Sequence, residues 1–276
     1  MERYEAYKDS GIEWIGAIPV DWGLAPVKGI SKIVAGKTPR SDNEKYWGGD
    51  IPWITPADMS EKYTSSGARG ITEIGLNDAG LDLVPENSII VSNRAPIGLI
   101  SIASNPLSTN QGCKALVLEK GVPDYLYYCL ACSSQELERL GRGTTFLELS
   151  AQDLGSHKIP WPSARIQTAI SEYLDQKTAE IDSLIEQTER SIKLLEEYRK
   201  SMISEAVSKG FDSNTPTKDS GIDWIGEIPE HWSVSKVKYE FTNHDSLRRP
   251  VEASLRSQDS ESLYPYYGAS GIVDTI

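Results

Sequence analysis

The chain has little of what metal centres and nucleophilic catalysts are built from: three cysteines and three histidines in 276 residues. Cys129 and Cys132 form one C-x-x-C, and Cys113 stands apart. A zinc site wants a second such pair, or histidines at ligand spacing. His157, His231 and His244 supply neither, so no metal is expected. The pair lies in "DYLYYCLACSSQELERL", where apolar residues recur three and four apart, so both thiols are expected reduced and buried on a helix. No apolar run approaches the roughly 20 residues that span a bilayer. The start, "MERYEAYKDSG", has neither the basic first stretch nor the apolar core of a secretory signal, and a cytoplasmic protein is expected. A G-x-S-x-G elbow, a glycine-rich dinucleotide fingerprint, an Asn/Asp-Pro-Pro-aromatic tetrapeptide and an Asp…Glu-x-Lys nuclease core are all absent. No catalytic residue is assigned.

Positive charge is also scarce. Lys and Arg number 28 against 40 Asp and Glu, a net charge of −12, which taken alone argues against a nucleic-acid binder. Residues 1–160 are mildly acidic too, with 15 basic against 20 acidic side chains. The G-K-T of "AGKTPRS" (35–41) does not make a phosphate-binding P-loop. Ser31 stands where the required glycine five before Gly36 would be, and Pro39 spoils the helix that should open at Lys37.

What is present is a sentence written twice. "KDSGIEWIGAIPVDW" (8–22) returns as "KDSGIDWIGEIPEHW" (218–232), with 11 of 15 positions identical at an offset of 210. Pro19 and Pro26 exclude a continuous helix in the first copy, and an irregular docked segment is expected there. From Ile30 to about Pro160 the runs "IPWIT" (51–55), "NSIIVSN" (87–93), "IGLISIA" (97–103) and "KALVLE" (114–119) read as strands between tight turns. Helices are expected over 123–140, with Pro123 in the first turn, and near "LSAQDLGS". The class is α+β, a mixed α/β domain over 1–160.

Pro160 and Pro162 then mark a boundary, and Ser163 is a fair N-cap. Between Ala164 and Val207 there is no Pro or Gly, and Gly210 is a plausible stop. Apolar residues recur at Ile166, Ile170, Leu174, Ile181, Ile185, Ile192, Leu195 and Met202. A helix of that length runs about 65 Å at ~1.5 Å per residue. Its apolar stripe is narrow, so it is expected to pack beside another helix in coiled-coil fashion through Ile170, Leu174, Ile181, Ile185, Ile192, Leu195 and Met202. The spacer is assigned to 161–210, and a linker with the start of a second, unfinished domain to 211–276.

One turn and three further loops carry side chains suited to DNA. Lys37, Thr38 and Arg40 decorate a bare Gly-containing turn, good equipment for phosphate contacts. Asn93 and Arg94 close one strand, Asn110, Gln111 and Lys114 open another, and Arg142, Thr144 and Thr145 lie in a Gly-x-Gly loop. Arg matches guanine edges, and Asn or Gln adenine edges, so these are candidate DNA contacts; ordinary turn-making is the competing role for each.

At this point the residues resemble the specificity subunit of type I restriction–modification systems. The resemblance rests on "SGIEWIGAIPVDW", "GKTPRS", "IPWITPADM", "TNQGCKAL", "GRGTTFLEL" and above all the stretch from "IPWPSARIQ" to "EAVSKG". It implies two target-recognition domains, each followed by a long helix, with the helices antiparallel as a ruler and each domain reading half of a bipartite site. The second sentence then opens a second recognition domain. The resemblance further implies a non-catalytic chain that binds double-stranded DNA and works with methyltransferase and restriction subunits. S-adenosylmethionine, ATP and Mg would belong to those partners, and none to this chain. With the second domain unfinished, two copies pairing through the spacer helix would restore the geometry and read a palindromic site. The alternatives are a coiled-coil interaction protein, or inactive remnant, without DNA recognition, and a stand-alone nuclease or NTPase, for which no site is found. The bases read are not legible in the sequence.

Overall fold

The computed structural model describes residues 4–143, 147–212, 214–244, 265–268 and 271–275. The chain divides into two compact units, Met1–Glu186 and Gln187–Ile276, with the division inside a long helix.

The first unit opens with β1 (Tyr7–Asp9) and β2 (Ala17–Pro19), an antiparallel hairpin where an irregular segment is expected. Its turn is closed by its own side chains: the Gly11 N–H donates to Asp9 Oδ1 (2.9 Å) and the Ile12 N–H to Ser10 Oγ (3.1 Å). Such Asx and Ser turns offset the lack of a long strand ladder. Pro19 sits at the end of the pairing, where a missing N–H is tolerated.

Next come β3 (Gly23–Pro26), β4 (Ser31–Ala35), β5 (Trp47–Ile54), β6 (Tyr63–Thr64), β7 (Arg69–Ile71) and α1 (Glu73–Asp78). Then follow β8 (Ile89–Ser92), β9 (Ile100–Ala103), β10 (Ser108–Thr109) and β11 (Cys113–Leu118). A five-stranded sheet has the order β4-β11-β8-β9-β6, and a three-stranded sheet the order β10-β5-β7. The strands expected from the apolar runs are present in β5, β8, β9 and β11.

The central strands β8 and β9 of the larger sheet are buried on both faces, which is why they read as continuous apolar runs rather than alternating ones. Ile89, Val91, Ile100, Ile102 and Leu116 face a core shared with Leu126, Leu130, Leu137, Leu149 and Leu154. Ile90, Ala103, Cys113 and Ala115 face a second core with Ile54, Met59, Val84 and Leu107. Full burial of each such aliphatic side chain contributes roughly 1.5–3 kcal/mol.

The helix expected over 123–140 forms in two pieces, α2 (Pro123–Cys132) and α3 (Ser134–Arg139). They part at Ser133, whose hydroxyl bonds back to the Cys129 carbonyl (3.0 Å) and meets His157 Nε2 at 2.9 Å. A serine bonding back to the carbonyl four residues earlier bends a helix. Helix α4 (Ala151–Ser156) and β12 (Lys158–Trp161), paired with β3, complete the domain. Trp14 of the opening hairpin stacks on His157, with ring centroids 5.4 Å apart and planes 8° from parallel.

The cysteine expectation is half corrected. Cys113 and Cys129 are buried or half-buried, and burial pushes each thiol up to about 12, so both act as small hydrophobes. Cys132, three residues on, faces solvent.

Helix α5 (Ala164–Lys209) is one 46-residue element. Gly210 follows it at φ +77°, the left-handed conformation that ends helices and that a side chain disfavours. Ile170 and Leu174 are half-buried, while Ile181, Ile185, Ile192, Leu195 and Met202 are each more than half exposed. No helix among the described residues is long and apolar enough to cross a membrane.

In the second unit β13 (Thr217–Asp219) and β14 (Glu227–Pro229) repeat the opening hairpin bond for bond. Thr217 pairs with Pro229 as Tyr7 does with Pro19, and the Asp219 and Ser220 side chains close the turn as Asp9 and Ser10 do. Ile18 and Ile228 are both 4% exposed. The tryptophans differ: Trp224, the counterpart of stacked Trp14, is 84% exposed. A short helix α6 (Val237–Glu240) and a hairpin of β15 (Pro265–Gly268) and β16 (Gly271–Thr275) follow.

Candidate functional site

Strand β11 runs antiparallel to both its neighbours. Its first residues therefore lie between the last residues of β4 and β8: Lys114 pairs with Ala35, and Cys113 with Ser92. The loops leaving β4 and β8 and the turn entering β11 all emerge at this one end of the sheet. Topology thus brings together three loops that are distant in sequence.

The first cluster joins residues 36–40 to the turn at 110–112. Gly36 crosses so close to that turn that a Cβ there would lie 1.9 Å from the Asn110 carbonyl oxygen, so only glycine fits. The Lys37 N–H donates to the Thr109 carbonyl (2.9 Å), and the Thr38 hydroxyl donates to Gln111. Asn110 Oδ1 accepts the Gly112 N–H at 2.9 Å, shaping the turn with a half-buried side chain. Trp53 Nε1 donates to the Lys37 carbonyl (3.0 Å) and Trp47 Nε1 to the Arg40 carbonyl (3.2 Å). Lys37, Thr38, Arg40 and Gln111 are exposed. Arg40 pairs with Asp42 at 3.0 Å, and Lys37 Nζ donates to the Gly80 carbonyl.

Glu148 organises the second cluster. Arg94 Nε and Nη2 donate to its Oε2 (3.1 and 2.9 Å), Asn93 Nδ2 donates to Oε1 (3.2 Å), and Lys114 Nζ lies 3.5 Å from Oε1. The Glu148 backbone exchanges two hydrogen bonds with Arg142, which ties the Gly-x-Gly loop to the same point. Partial burial pushes the Glu148 carboxyl up, but Arg94, then Lys114, outweigh it and hold it below the usual carboxylate range. Burial pulls Lys114 below the ordinary lysine value although Glu148 opposes it.

This geometry sorts the sequence candidates. Asn93 is fully buried and Lys114 is 6% exposed, so both turn inward and brace the sheet end rather than present themselves to a ligand. The reason is the place of the strand: both faces of β11 are covered here, with Leu116 buried in one core and Cys113 and Ala115 in the other. Arg94 is exposed but engaged by Glu148, and Arg142 is exposed, 3.9 Å from Asp153. Thr144 and Thr145 lie outside the described residues. Lys37, Thr38, Arg40 and Gln111 form the outward group, with Asn110 at its base.

Several contributors escape sequence reading. Glu148 is the sole acid of "GRGTTFLEL", a signal that could have marked it as the counter-charge for three basic loops. Trp47, edge-on to Trp53 with centroids 5.0 Å apart, carries Arg69 at 3.5 Å from its ring centroid. That stack leaves no trace in the sequence. No group of three or more His, Cys, Asp or Glu able to hold a metal occurs among the described residues.

The family model for the type I restriction modification DNA specificity domain matches residues 19–194. That covers well over half of the chain, including every strand of the two larger sheets. The chain belongs to this family. The MjaIX type I restriction enzyme specificity subunit of Methanocaldococcus jannaschii is similar at 36% identity over 233 residues, 81% of this chain and 52% of that one. The EcoR124I/EcoR124II specificity subunit of Escherichia coli is 28% identical over 204 residues, 70% of this chain and 49% of that one. This chain spans about half the length of the curated relatives it matches. Among solved structures, the HsdS subunit from Thermoanaerobacter tengcongensis shares the fold at TM-score 0.55 and 19% identity, over 75% of this chain and 49% of that one. The α+β specificity-domain architecture with its long helix is thus that of the family.

Proposed function

We propose that this specificity-domain chain is the non-catalytic, sequence-reading part of a type I restriction–modification complex. Residues 1–160 form the recognition domain, 161–210 the spacer helix, and 211–276 a linker with the opening of a second recognition domain. The observation that carries this reading is the outward group of Lys37, Thr38, Arg40 and Gln111 at one end of a sheet whose central strands are buried on both faces. A rigid sheet end presenting loops with cationic, hydroxyl and amide groups is suited to reading base edges while gripping phosphates. The inward group around Glu148 sets where Arg94 and Arg142 stand.

The domain reads one half of a bipartite site in double-stranded DNA, and the spacer helix docks methyltransferase and restriction subunits. The exposed Ile181, Ile185, Ile192, Leu195 and Met202 form an apolar stripe long enough to take a second helix. Two copies of the chain pairing antiparallel along this stripe place identical readers at opposite ends, so the site read is palindromic. The acidic balance fits a reader whose backbone affinity is completed by partner subunits.

Single-molecule methylation sequencing of DNA from cells expressing the chain with its methyltransferase subunit tests this. Adenine methylation at a palindromic bipartite motif is expected. Arg40→Ala and Gln111→Ala should then relax one or two motif positions, each base contact being worth about 1–3 kcal/mol of discrimination. No new methylation, with the chain soluble and bound to the methyltransferase subunit, refutes the reading.

A further inference from the structure

Residues 4–160 hold five arginines, Arg40, Arg69, Arg94, Arg139 and Arg142. Four of them stand beside a carboxylate: Arg40 by Asp42 (3.0 Å), Arg94 by Glu148 (2.9 Å), Arg139 by Glu136 (2.6 Å) and Arg142 by Asp153 (3.9 Å). Arg69 has an indole instead. It is exposed, its guanidinium carbon lies 3.5 Å from the centre of the Trp47 ring, and among the described residues no acceptor takes its side-chain N–H groups. At that distance the guanidinium lies on the ring face, and a planar cation held by its face keeps its edge, where the donors are, for another group. A bulge builds this platform. β7 pairs with β5 as Arg69 to Trp53 and Ile71 to Ile51, and the register then shifts so that Trp47 also faces Ile71. Gly48 in the extra stretch has φ +81°, and a Cβ on Gly49 would lie 2.4 Å from the Ile71 carbonyl oxygen, so glycine suits both positions. Such bulges re-aim side chains, and here Trp47 is brought edge-on to Trp53 and against Arg69. The backbone leading into β7 is fixed as well. The Ala68 N–H donates to Asp58 Oδ1 (2.8 Å), while Asp58 Oδ2 accepts from the Thr55 N–H (2.9 Å) and hydroxyl (2.7 Å).

We propose that Arg69 is a base-reading residue that presents its guanidinium edge to a guanine of the DNA site, and that Trp47 positions it. This rests on the DNA-reading role proposed above and adds a residue to it. The three-stranded sheet ties Arg69 to the outward group. Arg69 pairs with Trp53 of β5, Trp53 pairs with Ser108 of β10, and β10 runs directly into Asn110 and Gln111. The same two indoles that meet beside Arg69 also bond the Lys37 and Arg40 carbonyls, so one aromatic pair seats both the Lys37–Arg40 turn and the Arg69 guanidinium. Two strand spacings, about 10 Å, separate Arg69 from Ser108. That is about three base-pair steps of ~3.4 Å, which lets Arg69 and Gln111 meet different base pairs of one short site. Guanine is the base that this geometry suits. Its O6 and N7 accept side by side, which matches a guanidinium fork held in one plane. A phosphate contact makes no such demand, since a mobile lysine serves it as a point charge. A ring in place of a carboxylate also leaves no ion pair to break when DNA arrives.

The test uses the chain with its methyltransferase subunit. Adenine methylation is read on a duplex library randomised across the recognised site, and DNA affinity is measured at several salt concentrations. Arg69→Met covers Trp47 without offering N–H donors, Arg69→Lys keeps the charge without the fork, and Trp47→Leu removes the platform but leaves the arginine. The unmodified chain should require a guanine at one position. Arg69→Met and Arg69→Lys should each lower that preference roughly tenfold or more, with the other positions unchanged. Trp47→Leu should lower it in part, and Trp47→Phe, which keeps a ring face, should retain more of it. Melting temperatures show that the variants are folded; should Arg69→Met fail to fold, Arg69→Lys, which keeps a cation on the ring, decides the matter. A folded Arg69→Lys chain with an unchanged motif overturns the inference. So does a uniform loss of affinity across all sequences with a salt slope shallower by about 1, the mark of a phosphate contact. Full guanine preference in Trp47→Leu overturns the positioning role of the indole. No methylation motif from the unmodified chain overturns the DNA-reading role and this inference with it, whereas a motif that survives both Arg69 variants overturns this inference alone.

Discussion

Removing the Glu148 carboxylate should destabilise the first unit, and removing Lys114 with it should restore most of the loss. Lys114 is 7% exposed at its side chain and Glu148 42%. Deleting one partner of a fully buried pair costs about 3–5 kcal/mol, because the other charge is left enclosed and unpaired. Solvent reaches this carboxylate and screens part of the interaction, so about 2 kcal/mol is the expected loss for Glu148→Ala. That corresponds to roughly 4–8 °C in the melting temperature of a domain this size. Lys114→Met fills the same volume without a charge to desolvate and should be within about 1 kcal/mol of the original chain. The double variant should then be more stable than Glu148→Ala alone, and a double-mutant cycle by urea denaturation gives the coupling. The dependence on pH follows from the depressed carboxyl. Its stabilisation is present above the unfolded value of about 4.3 and is lost as pH falls through the lower folded value. Glu148→Gln should remove that portion of the acid sensitivity. A double variant as unstable as Glu148→Ala would refute the claim that the enclosed ammonium is the source of the loss.

Trp14→Ala should cost about 2 kcal/mol, less than full burial of a tryptophan implies, whereas Trp224→Ala should change stability by under ~0.5 kcal/mol, since the two differ in exposure within the same hairpin; equal losses in denaturant titrations would contradict the stacking argument. Burial lowers the His157 pKa although Glu136 opposes it, so its neutral ring contributes stability above the unfolded value of about 6.5 that is lost as pH falls through the folded value. His157→Phe, which keeps a ring against Trp14, should flatten the fall in melting temperature between pH 7 and 5. Gly36→Ala should force the Lys37–Arg40 loop away from Asn110, lowering the melting temperature by several degrees while leaving α5 helicity by circular dichroism unchanged.

Much of the architecture is dictated locally, and is therefore legible. The helix from Ala164 needed only an unbroken run without Pro or Gly and a Gly after it, because 3.6-residue periodicity and caps act within one segment. The strands β8, β9 and β11 announce themselves as β-branched runs, and the repeat fixes one hairpin twice over, down to the same turn bonds. The break at Ser133 was not visible, since a serine bends a helix only where its hydroxyl finds the carbonyl behind it and, here, His157 beside it.

The choice among polar side chains belongs to tertiary structure alone. Lys37 and Lys114 look alike as flagged cations in loops rich in Gly, Asn and Thr, yet one faces solvent and the other the core. Strand pairing makes that choice: Lys114 lies on a strand bonded on both sides, by β4 and β8, and covered on both faces, whereas Lys37 lies in the loop beyond the end of β4. The same holds for Lys62, Asp124 and Asp175, which lie on three elements and carry no common spacing. They meet only because β6 pairs beside β9 and α5 starts against α2. Sequence wrote the elements and the repeat; register and packing decided which charges turn outward and which are paired within.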